Sequence, residues 1–306
     1  MQRNVYVDNI DRDEMRSGFL VTSHRKKLWN VQLNLIVELD RICRKHDIKW
    51  FAFAGTLLGA ARHHGFIPWD DDVDIAMLRP DYERFKKILP DELNAELFFD
   101  IWYNYAREGE PNEENLPTIT REHLQKYPWL PFSPFLKIRD NSTTYIKYLD
   151  VEELSQGIWI DVFPLDPTPP FNCTEHRNIF ERGEGLRLKA LQAFGEGTFK
   201  ERALAYENYL ADNYFESRFV GFITFYNLSK DKPAHIPSLL RADFDALTRL
   251  PFERIELSAP ARYDSLLTTH YGDWRTPRMS HIHAQIYSAD ISYKEYFAQR
   301  RGDVDG

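Results

Sequence analysis

The sequence predicts one α/β domain, in the broad sense that includes α+β folds, with helical additions. Three observations lead to this prediction. Short apolar runs bounded by turn residues, such as 50–54 and 157–163, alternate with segments of helical periodicity. The 306 residues are 43% hydrophobic and 28% charged, which is ordinary globular usage and enough to bury a core. With only Cys43 and Cys173 present, a disulfide scaffold is excluded.

The first part of the chain gives three elements in order. Apolar residues at spacings of three and four predict a helix over 24–45 whose basic residues form a solvated face. The apolar run 50–54 predicts a buried strand. A helix is expected over 57–64, with Thr56 as its N-cap and Gly65 just beyond its end.

The remaining elements are bounded by prolines and turn residues. The predicted helices cover residues 81–89, 175–214 and 263–271. The predicted strands cover residues 135–139, 143–148 and 157–163. Pro90 and Pro164 are expected to end the elements that precede them, because proline has no backbone N–H to donate. The strands over 135–139 and 143–148 are expected to pair as a hairpin.

Domain organisation and charge limit the classes of partner. Residues 1–23 are expected to form a polar lead-in, 24–280 the domain and 281–306 a tail. Lys and Arg total 39 against 47 Asp and Glu, and a charge of −8 argues against general binding of nucleic acid or anionic membrane. The sequence has no run of 18 apolar residues and no apolar leader, so we expect no transmembrane helix and a cytoplasmic location.

Four aspartates within residues 70–74, here called the acidic segment, give the strongest chemical signal. In a strand, Asp72 and Asp74 would lie on one face while Val73 and Ile75 enter the core. Two carboxylates about 4 Å apart repel by about 4 kcal/mol at an effective dielectric of about 20, so a cation is expected between them. All-oxygen ligands suit Mg²⁺ or Mn²⁺. An acidic loop or a helix-capping cluster is the alternative.

Asp161 is a second carboxylate that stands in an otherwise apolar strand. A buried carboxylate needs a metal ion or an ion-pair partner, so the alternatives are an inward salt bridge to an Arg or an outward edge position. We predict that Asp72, Asp74 and Asp161 together hold the metal ion and carry catalysis. Three carboxylates with a divalent cation suit phosphoryl or nucleotidyl transfer, in which one carboxylate accepts the proton of an attacking hydroxyl.

Five nearby residues are candidates for binding phosphate groups. Gly55 and Thr56 join a strand to a helix, and the free N–H groups at such a turn either bind an anion or simply begin the helix. Lys137 and Arg139 share one strand face and could hold a pyrophosphate, with a solvated basic edge as the alternative. Arg62 could reach a phosphate or pair with an aspartate of the acidic segment.

Four blocks of the sequence resemble the LicD family of bacterial phosphocholine transferases, which is related to fukutin-type proteins and fungal mannosyl-phosphorylation factors. The blocks are 53–77, 136–140, 157–166 and 250–273. The resemblance implies a nucleotidyltransferase-like mixed sheet flanked by helices. Its motif positions are then Gly55–Thr56, Asp72, Asp74 and Asp161. The sequence interval between Gly55 and Asp72 is longer than in the general motif of that fold, but it agrees with the LicD family.

The family activity implies a specific reaction and its partners. It would transfer phosphocholine, or a related phospho-alcohol, from CDP-choline or a similar nucleotide donor. The acceptor would be a sugar of a lipid-linked or surface glycan: lipopolysaccharide, teichoic acid or capsule. Such an enzyme could work as a peripheral protein at the inner face of the membrane. Two alternatives stay open, namely an Asp-x-Asp glycosyltransferase that uses a nucleotide sugar and a non-catalytic glycan-binding protein.

Overall fold

The computed structural model describes residues 3–127, 130, 135–168, 196–212, 216–222, 239–279 and 286–304. Helices α1 to α7 are Ser23–Lys45, Ala54–His63, Arg79–Glu92, Arg121–Lys126, Phe199–Asp212, Tyr263–Tyr271 and Tyr293–Val304. Strands β1 to β7 are Glu14–Arg16, Phe19–Val21, Phe51–Ala52, Asp74–Leu78, Leu97–Asp100, Ala106–Arg107 and Thr118–Ile119. Strands β8 to β15 are Leu136–Asp140, Thr144–Ile146, Ile158–Thr168, Phe219–Gly221, Leu239–Leu240, Leu247–Phe252, Ile255–Pro260 and Ile286–Ser288. Within these ranges, no helix is both long and apolar enough to cross a bilayer.

A mixed seven-stranded sheet forms the centre of the protein. Its longest strand, β10, pairs in parallel with β4 along one edge. Along its other edge β10 pairs antiparallel with β8 and then, further on, with β11. Strands β3, β5 and β12 extend the sheet by pairing with β4, β8 and β11, respectively. Helices α1 and α3 pack against β10. The predicted α/β class with a mixed, helix-flanked sheet is therefore confirmed.

The prediction that Pro164 ends its strand is wrong, because β10 continues past it. The N–H of Asp161 points towards β4, where it donates to the Val73 carbonyl at 2.9 Å. By alternation along the strand, the nitrogen of Pro164 faces the opposite edge. On that edge, pairing with β8 ends at Val162 and pairing with β11 begins at Asp166. The missing N–H of Pro164 therefore falls in a gap between two partner strands, where it removes no ladder bond.

Helix α1 follows the predicted apolar stripe, and its first turn is capped by the Thr22 side chain, which accepts from the Arg25 N–H at 3.2 Å. The prediction that its basic face is solvated is wrong in part. Lys26 is fully buried, and its Nζ lies 3.0 Å from a carboxylate oxygen of Glu14 in β1. Pairing with Glu14 supplies the charge partner that a buried ammonium requires.

Other sequence predictions are corrected at element ends and pairings. Helix α3 runs through Pro90 to Glu92, and a proline in the last turn removes only one helical hydrogen bond. The predicted hairpin of β8 with β9 is wrong, because both edges of β8 are taken by β5 and β10. Strand β9 pairs with β15 instead. Of the predicted helix 175–214, the described part contains α5, while 175–195 and 213–214 lie outside the described residues. The helix over 263–271 is confirmed.

Candidate active site

Charged side chains form a row across four neighbouring strands of the sheet. Asp74 in β4 is the register partner of Asp161 in β10, which in turn is the partner of Lys137 in β8. Lys137 is the partner of Asp100 in β5. Register partners on adjacent strands share one face of a sheet. The strands thus bring three carboxylates and one ammonium together as a charged row, defined by these four residues.

Asp72 belongs to this group although it lies outside the strand. The sequence predicted that Asp72 and Asp74 share a strand, but β4 begins at Asp74. Burial raises the pKa of Asp72 well above its usual range, and the charges of Asp74, Asp70 and Asp161 raise it further. The side chains of Asp70 and Asp72 also share a hydrogen bond, which requires a proton on one of the two carboxyl groups. Asp72 therefore faces the same carboxylates as the charged row.

The pKa of Asp74 is raised as well. Burial, followed by the charges of Asp161 and Asp70, raises the pKa of Asp74 to about 8. Lys137 and a hydrogen bond from the Gly55 backbone oppose this rise without cancelling it. In the absence of a further cation, the negative charges of this cluster are compensated only in part, so protons remain bound to it.

Side chains of α1 hold the backbone of the acidic segment in place. Arg25 Nη1 and Trp29 Nε1 donate to the Asp70 carbonyl at 2.8 and 3.0 Å. Gln32 Nε2 donates to the Asp71 carbonyl at 2.8 Å. The three donors are spaced four and three residues apart, so they lie on one face of the helix. Sequence reasoning missed this role. The presence of Arg25 and Gln32 on one face of a packing helix was a usable signal.

The predicted turn at Gly55–Thr56 is the first turn of α2, which begins at Ala54. The prediction that Thr56 caps the helix is wrong, because its hydroxyl accepts the Asp74 N–H at 2.8 Å. The Gly55 N–H donates to the Asp74 carboxylate. A Cβ at Gly55 would lie only 2.9 Å from an oxygen of Asp70. In this structure the turn therefore positions two aspartates, and its binding of phosphate stays a prediction.

Replacing Thr56 by Val should lower catalytic turnover by roughly tenfold, because the Asp74 N–H then loses its acceptor and the strand start is free to shift. Thr56→Ser keeps the hydroxyl and is the matched control, with turnover within about twofold of wild type. Steady-state kinetics of the two variants check this. Equal turnover in both would show that the hydroxyl does not position Asp74.

Lys137 and Arg139 are engaged by carboxylates and by one indole ring. Lys137 forms an ion pair with Asp161, which also accepts from Trp159 Nε1 at 3.1 Å. Arg139 forms an ion pair with Asp100. The two cations lie 5.0 and 4.8 Å from the centroid of the Trp159 ring. Each basic side chain is only 12% exposed, so the alternative of a solvated basic edge is wrong.

Arg62 and Tyr271 are neighbours, and Tyr271 lies within reach of the charges of the acidic segment. Arg62 donates to the Trp274 carbonyl at 2.8 Å and to His63 Nε2 at 2.9 Å, rather than to an aspartate of the acidic segment. The phenol of Tyr271, at the end of α6, lies close to the aspartates. Burial raises its pKa, and the charges of Asp74 and its neighbours raise it further. Sequence reasoning did not select Tyr271 as a site residue.

The donor set fits Mg²⁺ or Mn²⁺. Among the described residues, no three His, Cys, Asp or Glu side chains already converge on one point at ligating distance. Asp161 is paired with Lys137 instead. Magnesium commonly binds through one or two carboxylates and fills its other positions with water and substrate phosphate oxygens. Asp72 and Asp74, with Asp161 beside them, match that requirement.

The comparison with known families gives a match over residues 47–172. The matching family is described as LicD/FKTN/FKRP, nucleotidyltransferase domain. The matched segment includes the acidic segment, α2 and the whole charged row. Over residues 47–172 the chain matches the LicD-family domain. The resemblance predicted from the sequence blocks is therefore confirmed.

Three curated relatives resemble parts of this chain. The lipopolysaccharide cholinephosphotransferase LicD of Haemophilus influenzae is 40% identical over 139 residues, which cover 45% of this chain and 43% of the relative. An uncharacterized protein of Rickettsia typhi is 45% identical over 68 residues, covering 22% of this chain and 21% of the relative. Another, of Rickettsia prowazekii, is 36% identical over 75 residues, covering 24% and 28%. Each match spans less than half of the relative.

Proposed function

We propose that the protein transfers phosphocholine, or a related phospho-alcohol, from a CDP-activated donor to a sugar hydroxyl of a cell-surface glycan precursor. The observation that carries the proposal is the adjacency of Asp74 and Asp161 on parallel strands, with Asp72 beside them. The similarity to a lipopolysaccharide cholinephosphotransferase supports the transferred group and the class of acceptor. The reaction would take place where lipid-linked precursors are available, at the cytoplasmic face of the membrane.

A Mg²⁺ or Mn²⁺ ion held by Asp72, Asp74 and Asp161 would neutralise the phosphate oxygens of the donor. The chain's own groups divide the remaining work. Lys137 and Trp159 both donate to Asp161, which fixes the orientation of that carboxylate. One of the three carboxylates would accept the proton of the sugar hydroxyl as its oxygen bonds to the donor phosphorus and CMP leaves.

The donor phosphates would be bound by the groups around the carboxylates. Gly55 and Thr56 present the start of α2, and Lys137 and Arg139 lie on the same sheet face as the charged row. Arg62, anchored on the loop after α6, would also approach the donor. A buried, water-poor setting strengthens each of these contacts in the transition state.

Incubating the protein with CDP-choline, Mg²⁺ and lipopolysaccharide acceptors tests the proposal. We expect release of CMP, a glycan that gains the mass of phosphocholine, and loss of both products when EDTA is added. The glycosyltransferase alternative predicts release of a nucleoside diphosphate from a nucleotide sugar. Consumption of nucleotide sugars with no CMP from CDP-choline would reject the proposed reaction in favour of that alternative.

A further inference from the structure

A cavity next to the charged row is walled by basic and aromatic side chains and by the carboxylate of Asp100, which is paired with Arg139. It encloses about 60 Å³, room for a group of a few heavy atoms. Lys137, Arg139 and Trp159 line it and place it on the same sheet face as Asp161. Lys147 and Trp102 also line the cavity.

Lys147 gives this cavity a positive charge that has no ion-pair partner among the described residues. Lys137 is paired with Asp161 and Arg139 with Asp100. In the part of the chain that the structure describes, no acidic side chain forms an ion pair with Lys147. Burial and the charges of Lys137 and Arg139 lower the pKa of Lys147, and the charge of Asp161 offsets the repulsion between these cations only in part. An anion in the cavity would relieve that repulsion.

Trp102 supplies an independent sign of a missing acceptor. Its side chain is 1% exposed, and its indole Nε1 is buried without a hydrogen-bond partner among the described residues. An indole N–H can only donate. Buried donors are nearly always paired with a protein group, water or ligand. A ligand oxygen within this cavity would provide such an acceptor.

The buried side chain of Gln156 fixes the backbone that carries Lys147. Its Oε1 accepts the N–H groups of Lys147 and Tyr148, each at 2.9 Å. Its Nε2 donates to the carbonyls of Tyr148 and Val151 at 2.8 and 3.0 Å. The base of the Lys147 side chain is therefore held beside the cavity before any ligand arrives, which is the arrangement expected of a preformed binding site.

We propose that this cavity is a subsite for one phosphate group, with Lys147 supplying a cation that has no ion-pair partner among the described residues and Trp102 a neutral donor. The anion site itself does not depend on the proposed transferase activity, whereas its use by the nucleotide donor does rest on that function. Because Lys137 lines the cavity and also contacts Asp161, a phosphate bound here lies one side chain away from the charged row. The subsite would hold the phosphate that stays with the leaving nucleotide.

Binding of inorganic phosphate in EDTA, measured by calorimetry, tests the site without metal or turnover. Lys147→Met should raise the Kd for phosphate by about 10- to 100-fold, the range for a lost charge-assisted hydrogen bond. Trp102→Phe should raise it by roughly two- to tenfold. Lys126→Met is the matched control, because Lys126 is exposed and paired with Asp150, and it should bind phosphate as wild type does. CMP should displace the bound phosphate.

The outcomes separate the subsite from the reaction. Asp74→Asn should bind phosphate normally even though we expect it to lose transfer, so a failed transferase assay leaves the subsite standing. Absence of saturable phosphate binding in the wild type would overturn the subsite. So would equal weakening by Lys147→Met and Lys126→Met, in protein whose circular dichroism is unchanged. Simultaneous binding of CMP and phosphate would overturn its assignment to the donor.

Discussion

Replacing Asp74 by Asn should lower the proposed phosphocholine transfer by about 10³-fold or more while the protein stays folded. Asn has nearly the same shape but carries no charge, so it weakens the site's hold on a divalent ion and its control over the donor phosphates. The Asp74 N–H can still donate to Thr56, and β4 keeps its pairing with β10. CMP release and circular dichroism together check both parts of this expectation.

The same variant should be more stable than the wild type when metal is absent. The pKa of Asp74 is raised from 3.8 to about 8, chiefly by burial. A carboxyl whose pKa is higher in the folded than in the unfolded protein stabilises the fold fully at pH values below its unfolded-state pKa. That stabilisation is lost as the pH rises through its folded-state pKa. Between pH 4 and 8 the free energy of unfolding therefore falls in the wild type, whereas the Asp74→Asn variant is spared this loss. In EDTA at pH 8 we expect a gain of about 1–3 kcal/mol in the free energy of unfolding.

Denaturant titrations of wild type and Asp74→Asn at several pH values measure this difference. Asp91→Asn is the matched control, because Asp91 is exposed at the end of α3 and should change stability by less than about 0.5 kcal/mol. A stability difference between wild type and Asp74→Asn that does not grow from pH 5 to pH 8 would show that Asp74 is not destabilised in the folded protein.

Replacing Arg79 by Met should lower the free energy of unfolding by about 3–5 kcal/mol. Arg79 begins α3, and its guanidinium holds both oxygens of Asp166 at 2.6 and 2.8 Å. Both residues are 1% exposed. Removing the guanidinium leaves a buried carboxylate without its main partner, and the penalty for that charge dominates the loss. Because Asp166 lies in the second half of β10, the pair joins α3 to the strand that carries Asp161.

Urea denaturation compares Arg79→Met with two further variants. Arg84→Met removes a 54% exposed side chain that pairs with Asp81, and it should cost less than about 0.5 kcal/mol. The double variant Arg79→Met with Asp166→Leu should recover most of the stability, because no buried charge is left without a partner. If Arg79→Met costs no more than Arg84→Met, the buried pair does not stabilise the fold.

Much of the candidate site could be predicted from local pattern. Alternation in an apolar strand indicated that Asp74 faces away from the core, and an isolated carboxylate in another apolar run singled out Asp161. Parallel pairing of β4 with β10 then makes the two residues direct neighbours. Asp72 was assigned to the right cluster but to the wrong secondary structure, since it precedes the strand.

The partners of these residues could not be predicted, because they depend on which strands become neighbours. Lys137 meets Asp161, and Arg139 meets Asp100, only because β8 lies between β10 and β5. The same limit explains the missed pairing of β9 with β15. Pro164 was misjudged for a related reason, since the cost of a proline depends on whether a strand stands opposite its nitrogen.

Titrating Mn²⁺ into metal-free protein and following the free ion by electron paramagnetic resonance tests the central claim most directly. We expect one ion bound per chain in the wild type, tighter binding in the presence of CDP-choline, and binding weakened at least about 100-fold in Asp74→Asn. Wild type that binds no more Mn²⁺ than Asp74→Asn, with or without CDP-choline, would contradict the account.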